Sequence, residues 1–297
     1  MAKRALVLGS GGPVGIAWET GVLAGLAEAG VDLSDTDLIV GTSAGSIVGA
    51  QMAMGKAFGD LAASILDESA PLSRPSPHLS VLPDPDFTNF TNKMAEAISG
   101  KRAAREVRVE IGKWALRTET VSEEMFIAIL DYLFYEFVED RWPDRNFACT
   151  AVDALSGEFV VWNKGASVSV KRAIASSCSV PGVFPPITIN GRRYMDGGTH
   201  SPTNADLAKG YDNAVVIAVS GAAGDPEMAA QFRRQLDKEL IILRENGTKV
   251  ELLVPGASSI RAFGPNLMDP RNAVGAVRAG LVQGNADAAM LRAIWCH

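Results

Sequence analysis

The chain has 297 residues, is 47% hydrophobic, and carries 28 Lys and Arg against 34 Asp and Glu, a net charge of −6. That length and apolar content support a sizeable core in one large α/β domain, and the acidic balance argues against a general nucleic-acid role. Three unclustered cysteines offer neither a disulfide framework nor a zinc site, so no metal or cofactor is expected, and Cys178 reads as a small buried residue rather than a reactive thiol.

Arg4-Ala5-Leu6-Val7-Leu8 reads as a buried strand, and it begins at residue 4, so no signal peptide is expected ahead of it. It runs into Gly9-Ser10-Gly11-Gly12-Pro13-Val14-Gly15, after which a helical pattern continues to a stop near Gly30. A glycine loop between strand and helix exposes N–H groups and suits an anion. A dinucleotide pyrophosphate would need an acidic residue at the end of the second strand, and there is none. The oxyanion of an acyl-transfer intermediate fits better, with the N–H groups of Gly11 and Gly12 as donors; Pro13 has no N–H to give.

The second strand, Leu38-Ile39-Val40, delivers Gly41-Thr42-Ser43-Ala44-Gly45, and a helical run follows from Ser46. Strand, Gly-x-Ser-x-Gly and helix in that order make the context of a nucleophile elbow. The glycines leave the turn unobstructed, Ser43 Oγ stands over the positive end of a helix, and the N–H of Ala44 adds a third oxyanion donor. The plain alternative is a strand–helix turn that needs small residues.

Residues 56–142 interrupt the α/β rhythm. A proline-rich loop with His78 precedes a helix that places Lys101, Arg105 and Arg108 on one face. Thr120-x-x-Glu123 then reads as a capping box before a second helix. Its stripe is Phe126, Ile127, Leu130, Leu133, Phe134, Phe137 and Val138, opposite Glu124, Asp131, Glu136 and Glu139. Core packing with a solvated basic face is the simple reading. A cap over an acyl site with transient contact to a lipid surface, or a homodimer interface, are the functional ones. Further strands are expected at 146–151, 158–162, 214–219 and 250–254, and helices at 170–177, 226–245 and 271–294.

Ser43 needs a proton acceptor. Of three histidines, His297 ends the chain, His78 lies in the proline-rich loop, and His200 follows Asp196-Gly197-Gly198. Residues 187–195 read as a hairpin turning at Asn190-Gly191, and its second strand ends at Asp196. Two glycines after that carboxylate allow close approach of the serine turn, so Asp196 is the better base. His200 in a His-based mechanism, or Asp196 as a mere cap, stay open. An acid limb in the carboxylate range would mark Asp196; one near 6.5 would mark His200.

In this order the glycine loop (Gly11, Gly12, Gly15), the elbow (Gly41, Ser43, Gly45) and Asp196-Gly197-Gly198 resemble the patatin-like phospholipase family. A fourth block, Ser176-Ser177-Cys178-Ser179-Val180-Pro181-Gly182-Val183-Phe184-Pro185-Pro186, is similar to that family's Ala-Ser-x-Ala-x-Pro-x-x-Phe-x-Pro. The resemblance covers about residues 4 to 210. It implies a three-layer α/β/α fold with a mainly parallel central sheet. It also implies a Ser43–Asp196 dyad that cleaves acyl esters of lipids through an acyl-enzyme. Passing the acyl group to an alcohol would make the same site a transacylase, and the scaffold without chemistry would be a lipid-binding protein. One position departs: the family loop carries Arg or Lys where this chain has Val14, which weakens the case for a phospholipid headgroup and leaves ester chemistry intact. No apolar run reaches the ~20 residues of a membrane span, so a cytoplasmic protein is expected.

Overall fold

The computed structural model describes residues 2–67, 92–96, 100–134, 140–221 and 226–295. The proline-rich loop with His78, the residues Glu136, Phe137, Val138 and Glu139, and His297 lie outside them. The frame is an eight-stranded sheet in the order β5-β6-β3-β2-β1-β7-β8, with β4 also paired to β3. The strands are β1 (Arg4–Leu8), β2 (Leu38–Gly41), β3 (Phe147–Asp153), β4 (Phe159–Asn163), β5 (Ile187–Ile189), β6 (Arg192–Asp196), β7 (Asn213–Ile217) and β8 (Lys249–Leu253). β1, β2, β3, β7 and β8 run parallel; β4 and β6 pair antiparallel with β3, and β5 with β6.

Near-continuous apolar strands require cover on both faces of such a sheet, and β1 shows how it is supplied. Leu6 and Leu8 join the main core with α1 (Gly12–Glu28), α2 (Ala44–Ala53) and α3 (Phe58–Leu66). Ala5 and Val7 point the other way, into a second core with Leu236, Leu240 and Leu243 of α7 (Pro226–Glu245). Each fully buried Val or Leu contributes roughly 1.5–3 kcal/mol, so the period-two alternation fixes the three layers. The last helix, α9 (Ala273–Trp295), lies against α1 at glycine contacts: a Cβ at Gly21, Gly25, Gly280 or Gly284 would strike the facing backbone.

The hairpin turn at Asn190 and Gly191 has φ of 50° and 77°, the left-handed pair a two-residue turn needs. Helices α6 (Val170–Ser177) and α7 fall where the periodicity places them. Two expectations change. The first helix starts at Gly12, so half the glycine loop is its first turn, and Gly15 N–H closes onto Gly11 O at 2.8 Å. The capping box is displaced. Helix α5 (Glu123–Phe134) is capped by Ser122, whose Oγ accepts the Met125 N–H at 3.1 Å, while Glu123 pairs with Arg172 at 2.6 Å. Glu123 is the first helical residue, too early to close the box.

The basic face of α4 (Ala104–Ala115) is occupied by the protein itself. Arg105 pairs with Glu158 at 3.1 Å, and Arg108 Nε donates to Gly157 O at 2.9 Å. On α5, Phe126 is fully buried and stacks on Phe184, with ring centroids 4.2 Å apart. Among the described residues, no helix is long and apolar enough to cross a membrane.

Candidate active site

β1 and β2 are neighbours, and the chain leaves them at their carboxyl ends, β1 into the glycine loop and β2 into the Gly41–Gly45 turn. β7 returns on the other side of β1. Open α/β sheets place ligand sites at such a divergence. The crossing is tight: a Cβ on Gly41 would strike the Gly45 carbonyl, and one on Gly45 the Leu8 carbonyl. Gly45 N–H donates to Gly9 O at 3.0 Å, locking the turn to the glycine loop.

Ser43 has φ 53° and ψ −117°, a conformation that costs a non-glycine residue about 1–3 kcal/mol. Its surroundings hold it there. The Ser46 hydroxyl donates to Ser43 O at 2.6 Å, the Cys178 thiol to the same oxygen at 3.3 Å, and Ser43 N–H donates to Ser177 Oγ at 3.0 Å. Burial pushes the Cys178 thiol up, so it stays a packed thiol.

Asp196 ends β6, opposite Ala151 of β3. It is 4% exposed. Its Oδ1 accepts the Gly198 N–H at 2.7 Å, while Oδ2 has no partner of hydrogen-bond geometry. Burial raises the carboxyl to about 7, and the Ser43 hydroxyl and the Gly198 N–H pull it back only in part. The expectation of an ordinary carboxylate range is therefore corrected: the value sits beside that of a free histidine, because the group is desolvated. Gly197 lets β6 close on β3, since a Cβ there would strike Thr150.

Behind the turn, the Thr42 and Thr150 hydroxyls meet at 2.9 Å, and Asn204 Nδ2 donates to Thr42 Oγ1 at 3.0 Å. Asn204 Oδ1 in turn lies 2.7 Å from His200 Nδ1, and the His200 ring stacks on Phe159 at 4.1 Å. The half-buried His200 is held below its usual value by desolvation.

On the glycine-loop side, Gly12 has φ 59°. Among the described residues, no protein acceptor takes the N–H of Gly11, Gly12 or Ala44. Val14 N–H is taken by Leu267 O at 3.2 Å. The Val14 side chain is fully buried in the main core, so this position turns inward. Ser10 Oγ is a second buried polar atom without a partner, and a Cβ on Gly198 would stand 2.9 Å from it. Sequence reasoning brought Ser43, Asp196 and the glycine loop forward, and the structure gathers them at one end of the sheet. It missed Ser177 and Asn204. Ser177 lay within the recognised fourth block, but nothing in the residue order says that its hydroxyl faces the Ser43 amide.

Among the described residues, no group of His, Cys, Asp and Glu could hold a metal ion. A cleft of about 280 Å³ lined by Lys56, Arg141, Asp144 and Arg145 opens where β3 begins, at the opposite end of the strands from Ser43. A hydroxyl beside a buried carboxyl of pKa about 7, at the same end of the sheet as unused N–H donors, can lose its proton to that carboxylate and attack a carbonyl.

Fold and site thus define an α/β/α protein of mainly parallel sheet with a strained serine at a strand–helix corner. The family model for patatin-like phospholipase matches residues 6–209, and the chain belongs to that family, whose reaction class is lipid acyl hydrolysis. An uncharacterised NTE family protein of Mycobacterium tuberculosis (strain CDC 1551 / Oshkosh) is 28% identical over 233 residues, 77% of this chain and 52% of its own length. Another from the same strain is 26% identical over 214 residues, 72% of this chain and 29% of its length. The chain thus spans about half the length of the first and under a third of the second. Among solved structures, VipD from Legionella pneumophila is similar over 95% of this chain and 67% of its own, with TM-score 0.42 and 14% identity. The ExoU–SpcU complex of Pseudomonas aeruginosa gives 95% and 52%, with TM-score 0.38 and 18% identity.

Proposed function

We propose that this chain is a serine acyl hydrolase acting on acyl esters of lipids through a Ser43–Asp196 dyad. The observation that carries the reading is the strained, clamped Ser43 beside a buried carboxyl whose pKa of about 7 matches the task of a general base near neutral pH. In this reading Asp196 takes the Ser43 proton as Oγ attacks the ester carbonyl. The N–H groups of Gly11, Gly12 and Ala44 hold the oxyanion, each such donor being worth about 2.7–4 kcal/mol in comparable sites. The alcohol leaves with the proton returned by Asp196. A water activated by the same carboxylate then releases the acid from the acyl-enzyme. The helices between residues 56 and 142 belong to the same hydrolase unit, a reading supported by the seating of Phe126 against Phe184.

The test is Ser43→Ala. Hydrolysis of a p-nitrophenyl ester and covalent labelling by a fluorophosphonate probe should both vanish while the circular dichroism spectrum is kept. Turnover or labelling at the wild-type rate in that variant overturns the reading.

A further inference from the structure

Residues 264–269 lie beyond the part of the chain that the family model matches, and they cover the glycine loop. Leu267 O takes the Val14 N–H at 3.2 Å. A Cβ on Gly12 would stand 2.7 Å from Leu267 O and 2.8 Å from Met268 Sδ, so the space on that side of Gly12 is filled by this segment. Leu267 and Met268 are half-buried and pack against the main core.

The segment is anchored at both ends. Before it, α8 (Ala257–Phe263) puts Phe263 edge-on against Trp18 of α1 at 6.0 Å, and Trp18 Nε1 donates to Ser259 Oγ at 3.0 Å. Within it, Asn266 Oδ1 accepts the Met268 N–H at 2.9 Å. At its end, Asp269 accepts the Arg271 N–H at 3.0 Å and caps the turn that leads into α9.

Two consequences follow for Gly12. With Pro13 lacking an N–H and Val14 N–H engaged by Leu267, the helix start keeps only Gly11 and Gly12 as open donors in the loop. And Met268 Sδ lies beside Gly12, one of those two donors.

We infer that the 264–269 segment is a specificity wall, with Met268 the residue that restricts the site to acyl groups unbranched next to the carbonyl. A methylene chain slips past a thioether; a quaternary carbon meets it. This rests on the hydrolase reading above. A pocket contact of one or two carbons commonly shifts selectivity about 10–200-fold.

The experiment compares kcat/KM for p-nitrophenyl acetate and p-nitrophenyl pivalate in the full chain, with fluorophosphonate labelling alongside. Met268→Ala should raise the pivalate-to-acetate ratio about tenfold, and Met268→Phe should lower it. A reactive wild type whose ratio moves in neither variant overturns this assignment and leaves the hydrolase reading standing. A wild type inert to both esters and to the probe overturns the hydrolase reading, and this assignment with it.

Discussion

The backbone N–H of Ser43 donates to the hydroxyl of Ser177 at 3.0 Å, across 134 residues of sequence. Ser177 is fully buried at the end of α6, so the turn that carries the serine is tied to α6 rather than left to its own strained geometry. Removing the hydroxyl leaves a buried N–H unsatisfied, at a cost of about 1–3 kcal/mol. Ser177→Ala should therefore lower kcat about tenfold with little change in KM, because the corner is displaced while the substrate surface is intact. Ser177→Thr, which keeps the acceptor, should recover much of the rate. A KM effect with kcat unchanged would mean that Ser177 does not position Ser43.

In the proposed dyad, Asp196 sets the acid limb. Activity should rise with pH through about 7 as the carboxyl ionises. That limb lies close to a histidine's, so its position does not separate the two bases; the variants do. Asp196→Asn should cost about 10²–10⁴-fold in kcat. His200→Ala should leave the limb in place, since His200 is turned to Asn204 and Phe159, and should lower the melting temperature. A limb abolished by His200→Ala would replace the dyad with a His-based mechanism.

The same group destabilises the fold at high pH. Its folded pKa of about 7 stands above the ordinary 3.8, so the native state holds a proton that the unfolded chain has released. The contribution of this one carboxyl is full below about pH 4 and is lost as pH rises to about 7, by on the order of 4 kcal/mol. Asp196→Asn escapes this, so its melting temperature should gain on wild type between pH 4 and 7. Parallel curves would show that Asp196 is not desolvated.

Glu19 carries a larger burial. It is fully enclosed in α1, both carboxylate oxygens lack a partner of hydrogen-bond geometry, and the nearby Gly9 backbone offsets little of the desolvation that pushes its carboxyl well up. The native state keeps this proton too, while an unfolded Glu19 loses it near 4.5. Glu19→Gln should match wild type in stability at pH 4 and exceed it increasingly above pH 5, as read by urea unfolding at each pH. An equal pH slope in both proteins would rule out a neutral Glu19.

The sequence by itself determined the strands to within two residues, several of the helix spans and the order of the motifs. These depend on neighbours in the chain: β1 and β2 are short apolar runs, Gly-x-Ser-x-Gly follows β2 directly, and Asn190-Gly191 supplies its own left-handed turn. Periodicity placed α6 and α7 to the residue for the same reason. Only the tertiary structure decided what those residues face. Val14 sits in the motif position of a cation yet turns into the core. Arg105 and Arg108 look like a free basic face yet are held by the 156–158 turn. The Asp196 pKa is set by desolvation, a property of everything packed around the group and of nothing in its own sequence. Ser177 reaches Ser43 across 134 residues, and Leu267 reaches Val14 from outside the family motifs. Such long-range pairs have no local pattern to announce them, because the sheet order that brings them together is fixed by burial on both faces of β1 at once.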